Sequence, residues 1–309
     1  MKPYDGIKAI LKPVKDYVLR GGVNRWLHPK SVRLAYYAEV PNFGDSLNLD
    51  LMRHFAVDVC RAGTYHANLV AIGSMLDSFL LTRYNSRTTQ EPVHVYGTGF
   101  LQPQKDDIEV FVRPMAFHAL RGKLSRARCE RITGRDLSGV PLGDPGLLAS
   151  RMFANMQTHK LYDVAVVCHF ADRGRTPLGN IRLGGLSVRH LDVRMEPERF
   201  VAELTSCRFV LSSAMHALIC ADSFGIPNKR IVLSDALVGG DYKFSDYYSV
   251  FEDVEAHAVP FDLRKNILSV ADLDAFRREY SIGRAEVEDL VSSLESAFPF
   301  DLRDKRRLG

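Results

Sequence analysis

The stretch from Arg208 to Asn228 holds the densest chemistry in the chain. An apolar run ends at Ser212 and Ser213, and His216 follows within three residues, ahead of Ala217, Leu218 and Ile219. That order reads as a strand passing into a helix whose first turn presents an imidazole. Free N–H groups at a helix start attract anions, and an imidazole beside them can hold or release a proton near neutral pH. The bland alternative is a histidine packed between helix and sheet. His216 and Cys220 are four apart, as metal ligands can be, but no third ligand is offered nearby, so no metal is expected.

A second constellation is Arg121, Lys123 and Ser125. A planar fork, a point charge and a helix entry suit a phosphate or carboxylate, although ordinary surface cations would look the same. The third is Asn42-Phe43-Gly44-Asp45-Ser46-Leu47-Asn48, where Gly44 permits a tight turn and Asp45 or Ser46 caps a helix, lines a site, or does both. Asp272 and Asp274 match an Asp-x-Asp metal motif literally but precede a helix, so capping is expected. The glycines of Tyr96-Gly97-Thr98-Gly99-Phe100 lack the later glycine of a dinucleotide fingerprint. With no G-x-S-x-G, H-E-x-x-H or Walker loop, the common hydrolase, zincin and P-loop readings have no support.

These residues need strands and helices to position them. At 309 residues, with 46% hydrophobic and 25% charged, the chain can bury cores for two domains. From Ser31 the pattern alternates between strand and helix. Strands are predicted over residues 32–39, 69–72, 93–96 and 116–121, with a helix over 46–57. After a boundary near residue 157, strands follow over 162–168, 188–193, 209–212 and 230–233, with helices over 196–205 and 216–224. The fold class is therefore α/β, two Rossmann-like halves of residues 31–157 and 158–267 facing across a cleft, with function at the loops leaving the strands' carboxyl ends. Residues 268–298 read as helical, followed by a basic tail to residue 309.

Residues 1–30 place Ile7, Ile10, Leu11, Val14 and Val18 at helical spacing among lysines, with Pro13 as a kink. The segment is either a helix docked on the domain or an anchor to anionic lipid. The net charge of +4 falls short of a nucleic-acid binder, so no nucleic-acid partner is expected. The start of the chain lacks a secretory signal pattern and the apolar stretches are interrupted by Asp77, His216 and Asp222, which points to the cytoplasm and against a spanning helix. Five dispersed cysteines, with no Cys-x-x-Cys, read as reduced thiols.

Taken in order, residues 42–48, Tyr96-Gly-Thr-Gly-Phe100, Leu120-Arg-Gly-Lys-Leu-Ser125, Leu142-Gly-Asp-Pro145, Cys168-His-Phe-Ala-Asp172 and Ser213-Ala-Met-His-Ala-Leu218, with Ile226-Pro227, resemble the polysaccharide pyruvyl transferase family. The flavour is most similar to bacterial exopolysaccharide ketal pyruvyltransferases of the succinoglycan and xanthan type, and Lys243-Phe-Ser-Asp-Tyr247 fits it too. The resemblance implies a glycosyltransferase-B-like fold, phosphoenolpyruvate as donor substrate with no cofactor, and a glycan acceptor, lipid-linked or free, at the inner face of the membrane. It places His216 on the family's catalytic histidine and Arg121 on its donor-binding arginine. Lys123, Ser125, Ser213, Met215 and Lys243 complete the donor side implied, Asp45 is the hydroxyl base, and Asn42, His169 and Asp172 form the acceptor side. Many members carry an arginine two residues before the histidine, where this chain has Ala214, so Lys243 or Lys123 must supply the second cation. The competing readings are a nucleotide-sugar glycosyltransferase of the same architecture and a non-catalytic glycan-binding subunit. Phosphate release from phosphoenolpyruvate against UDP release from UDP-glucose separates them.

Overall fold

The structure is a computed structural model that describes residues 31–82, 89–105, 108–156, 159–172, 174, 180–252 and 257–300. The basic segment of residues 1–30 and the tail after residue 300 lie outside the described residues.

Short runs rich in valine, leucine and alanine form strands buried on both faces, as parallel sheets under helices require. The first sheet contains β1 (Val32–Ala35), β2 (Val59–Arg61), β3 (Leu69–Val70), β4 (Val93–Tyr96) and β5 (Met115–Ala119), in the order β2-β1-β3-β4-β5. Every pair is parallel, with Leu34 opposite both Arg61 and Leu69. The second contains β6 (Val164–Cys168), β7 (Val188–Asp192), β8 (Val210–Ser212), β9 (Asn228–Val232) and β10 (Phe261–Asp262), in the order β10-β9-β8-β6-β7, again parallel. Read from the other edge, the second order repeats the first. Each half runs outward from its first strand, then reverses, so each has a switch point, between β1 and β3 and between β6 and β8, where loops splay apart and leave room for a ligand.

The helices are α1 (Phe43–His54), α2 (Lys123–Thr133), α3 (Ala149–Met152), α4 (Pro197–Thr205), α5 (Met215–Ser223), α6 (Tyr242–Tyr248), α7 (Val270–Glu279) and α8 (Arg284–Ser296). The C-terminal helices expected from the pattern over 268–298 are α7 and α8, and Asp272 completes a capping box with Ser269 at the start of α7. One apolar cluster joins both halves, drawing on Leu34 and Leu47, on Val167 and Leu218, and on Val291 and Leu294. Phe43 stacks on Phe200 with ring centroids 3.6 Å apart, and the Phe43 N–H donates to Val193 O at 2.7 Å. Separate clusters cover the far face of each sheet. The halves therefore pack directly on one another beneath the loops. Among the described residues, no helix is long and apolar enough to cross a membrane. All five cysteines are free.

Asp222, at the end of α5, ties this packing together. It is buried and accepts hydrogen bonds from Tyr247 Oη (2.8 Å), Tyr280 Oη (2.8 Å) and Asn228 Nδ2 (2.6 Å). Asp222→Ala strands these three donors away from water, and a loss of about 3 kcal/mol is expected. Urea unfolding of the variant checks this; a midpoint unchanged from the parent contradicts it.

Candidate active site

The loops at the two switch points line one cavity of about 390 Å³. Tyr37, Asn42, Phe43 and Asp45 reach it after β1, and Gly73, Ser74 and Met75 after β3. His169 and Phe170 follow β6, Ala214, Met215 and His216 follow β8, and Lys243 enters from α6.

The first wall is the start of α1. Asn42, not Asp45 or Ser46, is the cap: its Oδ1 accepts from the Gly44 N–H at 3.1 Å. Capping by Asn42 leaves Asp45 in the first turn with its carboxylate on the cavity. The Asn42 Nδ2 donates to Asp45 Oδ2 at 3.1 Å. Asn48 fixes the next loop to this helix through paired bonds with Ile72, 3.0 Å each. Burial pushes the Asp45 carboxyl up to about 7, against the opposing pull of Lys243 and the Asn42 bond. Burial alone disfavours the carboxylate, so the group changes charge near neutrality.

The second wall is the start of α5, whose Ala214 offers no side-chain cap. Its first two helical residues, Met215 and His216, both line the cavity, and the His216 Nε2 is covered and makes no hydrogen bond. The imidazole lies against α1 where Gly44 stands: a Cβ there would come 2.3 Å from His216 Nδ1. Gly44 has helical rather than left-handed backbone. Close approach, not the tight turn expected, therefore requires the glycine. Gly44→Ala is expected to push the ring and the start of α5 out of place, since the added Cβ would also come 2.6 Å from His216 Cβ, lowering kcat by about a hundredfold and the melting temperature with it. Kinetics beside a melting curve test it, and parental turnover would remove Gly44 from the site.

His216 does not sit in the neutral switching range its sequence position suggested. Burial drives its pKa down to about 3, helped by the charges of Lys243, Arg121 and His169. The ring is neutral at pH 7. His169, driven to about 3 by burial and by Lys243, is neutral as well, and its Nδ1 accepts from the Ala171 N–H at 3.2 Å.

Lys243 supplies the positive charge. Its residue is 7% exposed, and among the described residues its ammonium has no ion pair or hydrogen bond. Burial, with Arg121 as a like charge, lowers its pKa to about 8. The ammonium stays protonated at neutral pH and faces the cavity without a direct ion pair among the described residues, with Asp45 and Asp172 near enough to favour its charge.

The remaining expected residues lie behind this surface or away from it. Arg121 is fully buried, donating from Nε to Asp246 (2.9 Å), from Nη1 to Ser74 Oγ (2.6 Å) and from Nη2 to Phe100 O (2.5 Å). Gly99 makes room for it, since a Cβ there would come 2.5 Å from Cζ. Arg121 thus stands one residue behind the cavity, with Ser74 between. Ser125 gives its Oγ (2.6 Å) and N–H (2.8 Å) to Asp246. The Lys123 side chain is exposed and does not line the cavity; only its N–H is engaged, by Ser249 Oγ at 2.8 Å. As the first residue of α2 it turns outward where Arg121 turns inward. Ser213 donates to Asp172 Oδ2 at 2.6 Å and accepts from the His169 N–H at 2.9 Å, and Asp172 lies beneath this wall. Reading the sequence passed over Ser74 and Asp246. Ser74 follows a strand and a glycine in Ile72-Gly73-Ser74, the only local signal available, and Asp246 is 125 residues from its arginine.

Residues 5–228 match the polysaccharide pyruvyl transferase family. The chain is also 27% identical over 259 residues to uncharacterized protein L143 of Acanthamoeba polyphaga mimivirus, an alignment that covers 81% of this chain and 85% of that one. By that match, which takes in most of both sheets, the chain belongs to the polysaccharide pyruvyl transferase family.

Proposed function

We propose that the chain transfers pyruvate from phosphoenolpyruvate to two hydroxyls of a glycan sugar, forming a pyruvate ketal. The observation that carries this reading is the buried, unpaired Lys243 ammonium on the same cavity as His216 and Asp45. A buried cation with no direct ion pair, only the more distant Asp45 and Asp172, is costly and suits an anion that completes it. The paired switch-point loops suit a glycosyltransferase-B-like arrangement, with the donor between the halves.

In this reading Lys243 and the open start of α5 hold the donor's phosphate and carboxylate. Arg121 strengthens the field from behind Ser74. The trianionic donor offsets the burial that keeps His216 neutral, so the imidazole takes up a proton as the donor binds. That proton passes to the methylene carbon of the enol, leaving an oxocarbenium centre at the adjacent carbon. A sugar hydroxyl attacks this centre and gives its proton to Asp45; the phosphate then leaves, taking that proton as hydrogen phosphate, and a second hydroxyl closes the ring while its proton passes to His216. Asn42 and His169 at the cavity, with Asp172 beneath, form the acceptor side. A lipid-linked acceptor would place the chain at the inner face of the membrane, with residues 1–30 against anionic lipid.

The deciding experiment incubates the purified protein with glycan acceptor and either phosphoenolpyruvate or UDP-glucose. The product mass should show a pyruvate ketal, with phosphate released. UDP release instead, or glycan binding with no donor affinity, rejects the proposal. A narrow pH optimum accompanies it. The Asp45 base becomes available only as pH rises through about 7, and the Lys243 cation is lost as pH rises through about 8. The kcat/KM for phosphoenolpyruvate should therefore climb, peak between these values and fall. A profile level from pH 6 to 9 contradicts the assignment of both groups.

A further inference from the structure

A second cavity of about 390 Å³ adjoins the first at Leu237, which lines both. It opens at the carboxyl ends of β9 and β10, and its lining has a different character. Four carboxylates, Asp172, Asp235, Asp241 and Asp262, stand there against two guanidinium groups, Arg230 and Arg264. Arg264 is matched by Asp262, through bonds of 2.8 and 2.7 Å, and by Asp235. Arg230 is matched on one nitrogen only. It is 2% exposed, its Nη2 reaches Asp241, and its Nε and Nη1 make no hydrogen bond. Phe244 covers one face of its guanidinium, with Cζ 3.7 Å from the ring centroid, which orients the fork but gives its edge no acceptor.

The excess of carboxylates repels a phosphate or a carboxylate ligand, so the open edge of Arg230 is not completed by the anionic donor. A neutral polyol meets both demands. Its hydroxyls accept from guanidinium nitrogens and donate to carboxylate oxygens with lone pairs to spare. The apolar side chains in the lining, Leu233, Leu237 and Pro260 among them, suit the C–H face of a pyranose. Asp172 lies on the second cavity, held there by Ser213 (2.6 Å) and Ser234 (2.5 Å), and Ser213 in turn accepts from the N–H of His169, which lines the first.

We propose that this second cavity, organised by Arg230, binds an uncharged hexose unit of the acceptor glycan, next to the sugar that receives pyruvate. The proposal rests on the pyruvyl-transfer reading for the identity of the glycan as acceptor, but sugar binding itself can be measured without turnover.

The test titrates the full chain with lactose, cellobiose and maltose, followed by ligand-observed NMR, and in parallel with phosphoenolpyruvate and inorganic phosphate. At least one disaccharide should bind the parent. Arg230→Lys keeps the charge over Phe244 but loses the fork, and should weaken that disaccharide by about tenfold while phosphoenolpyruvate affinity stays within about twofold. Asp235→Ala, at a side chain 94% exposed whose loss cannot unfold the protein, should weaken the disaccharide by about threefold. Absence of binding by all three disaccharides, equal binding by both variants and the parent, or displacement of the sugar by inorganic phosphate would overturn the proposal. If the disaccharide binds through Arg230 and phosphoenolpyruvate does not bind, the pyruvyl-transfer reading fails and the sugar site stands.

Discussion

His216→Ala is expected to lower kcat for pyruvyl transfer by about a thousandfold while leaving the fold intact, since a positioned acid contributes on that scale. The imidazole lines a cavity and its Nε2 holds no partner, so truncation enlarges an existing space and strands nothing. The cation at Lys243 is untouched, so donor affinity should fall only by the share that coupled proton uptake supplies, about tenfold at pH 7. A second readout distinguishes a proton donor from a residue that only shapes the pocket. Because burial keeps the ring neutral in the free protein, donor binding at pH 7 should draw in about one proton more in the parent than in the variant. Calorimetry in two buffers of different ionisation enthalpy measures that difference. Near-parental turnover, or identical proton uptake, would falsify the assignment.

Lys243→Met should do two things that rarely go together: bind phosphoenolpyruvate about a hundredfold more weakly, and melt at a higher temperature. The sign of the second effect follows from linkage. The folded-state pKa, about 8, lies below the ordinary 10.5, so the unfolded chain holds the proton more tightly than the folded one. Below pH 8 this costs the fold about 3 kcal/mol, a cost that fades as pH rises toward the unfolded value. Methionine fills a similar volume without a charge and removes it. Losing the cation also abolishes the alkaline limb of the pH profile. A variant that binds the donor normally, or that melts lower than the parent, argues against a lysine held at the expense of stability for an anion.

Much of this fold could be read from the sequence because parallel strands buried on both faces are short, continuous apolar runs. Residues 93–96 and 210–212 show it, where expected and observed strands agree to within a residue. The strand expected over 32–39 ends at Ala35, because the following residues swing out toward the cavity that Tyr37 and Asn42 line. β2 and β10 escaped notice: at three and two residues they carry too little pattern, and pairing with β1 and β9 defines them. α6 was hidden too. Its aromatic sequence is a modest helix former, and burial of Phe244, Tyr247 and Tyr248 stabilises it instead. Of the expected site residues, His216, Asp45 and Lys243 line one cavity and Lys123 does not. Residue type failed for Lys123, because two positions along the chain at a helix start reverse the direction a side chain faces.

The ion pair between Arg121 and Asp246 has a bearing on how the molecule is made. Both side chains are wholly buried, and the carboxylate also takes both hydrogen bonds from Ser125. On a ribosome the first sheet emerges with its guanidinium in place well before residue 246 is synthesised. Until then that guanidinium lacks the carboxylate it pairs with in the complete fold. The first half cannot complete this pair until α6 has been made. The same short helix that brings Asp246 also brings Lys243, so the step that completes the nascent fold and the step that furnishes the cavity with its cation are one event.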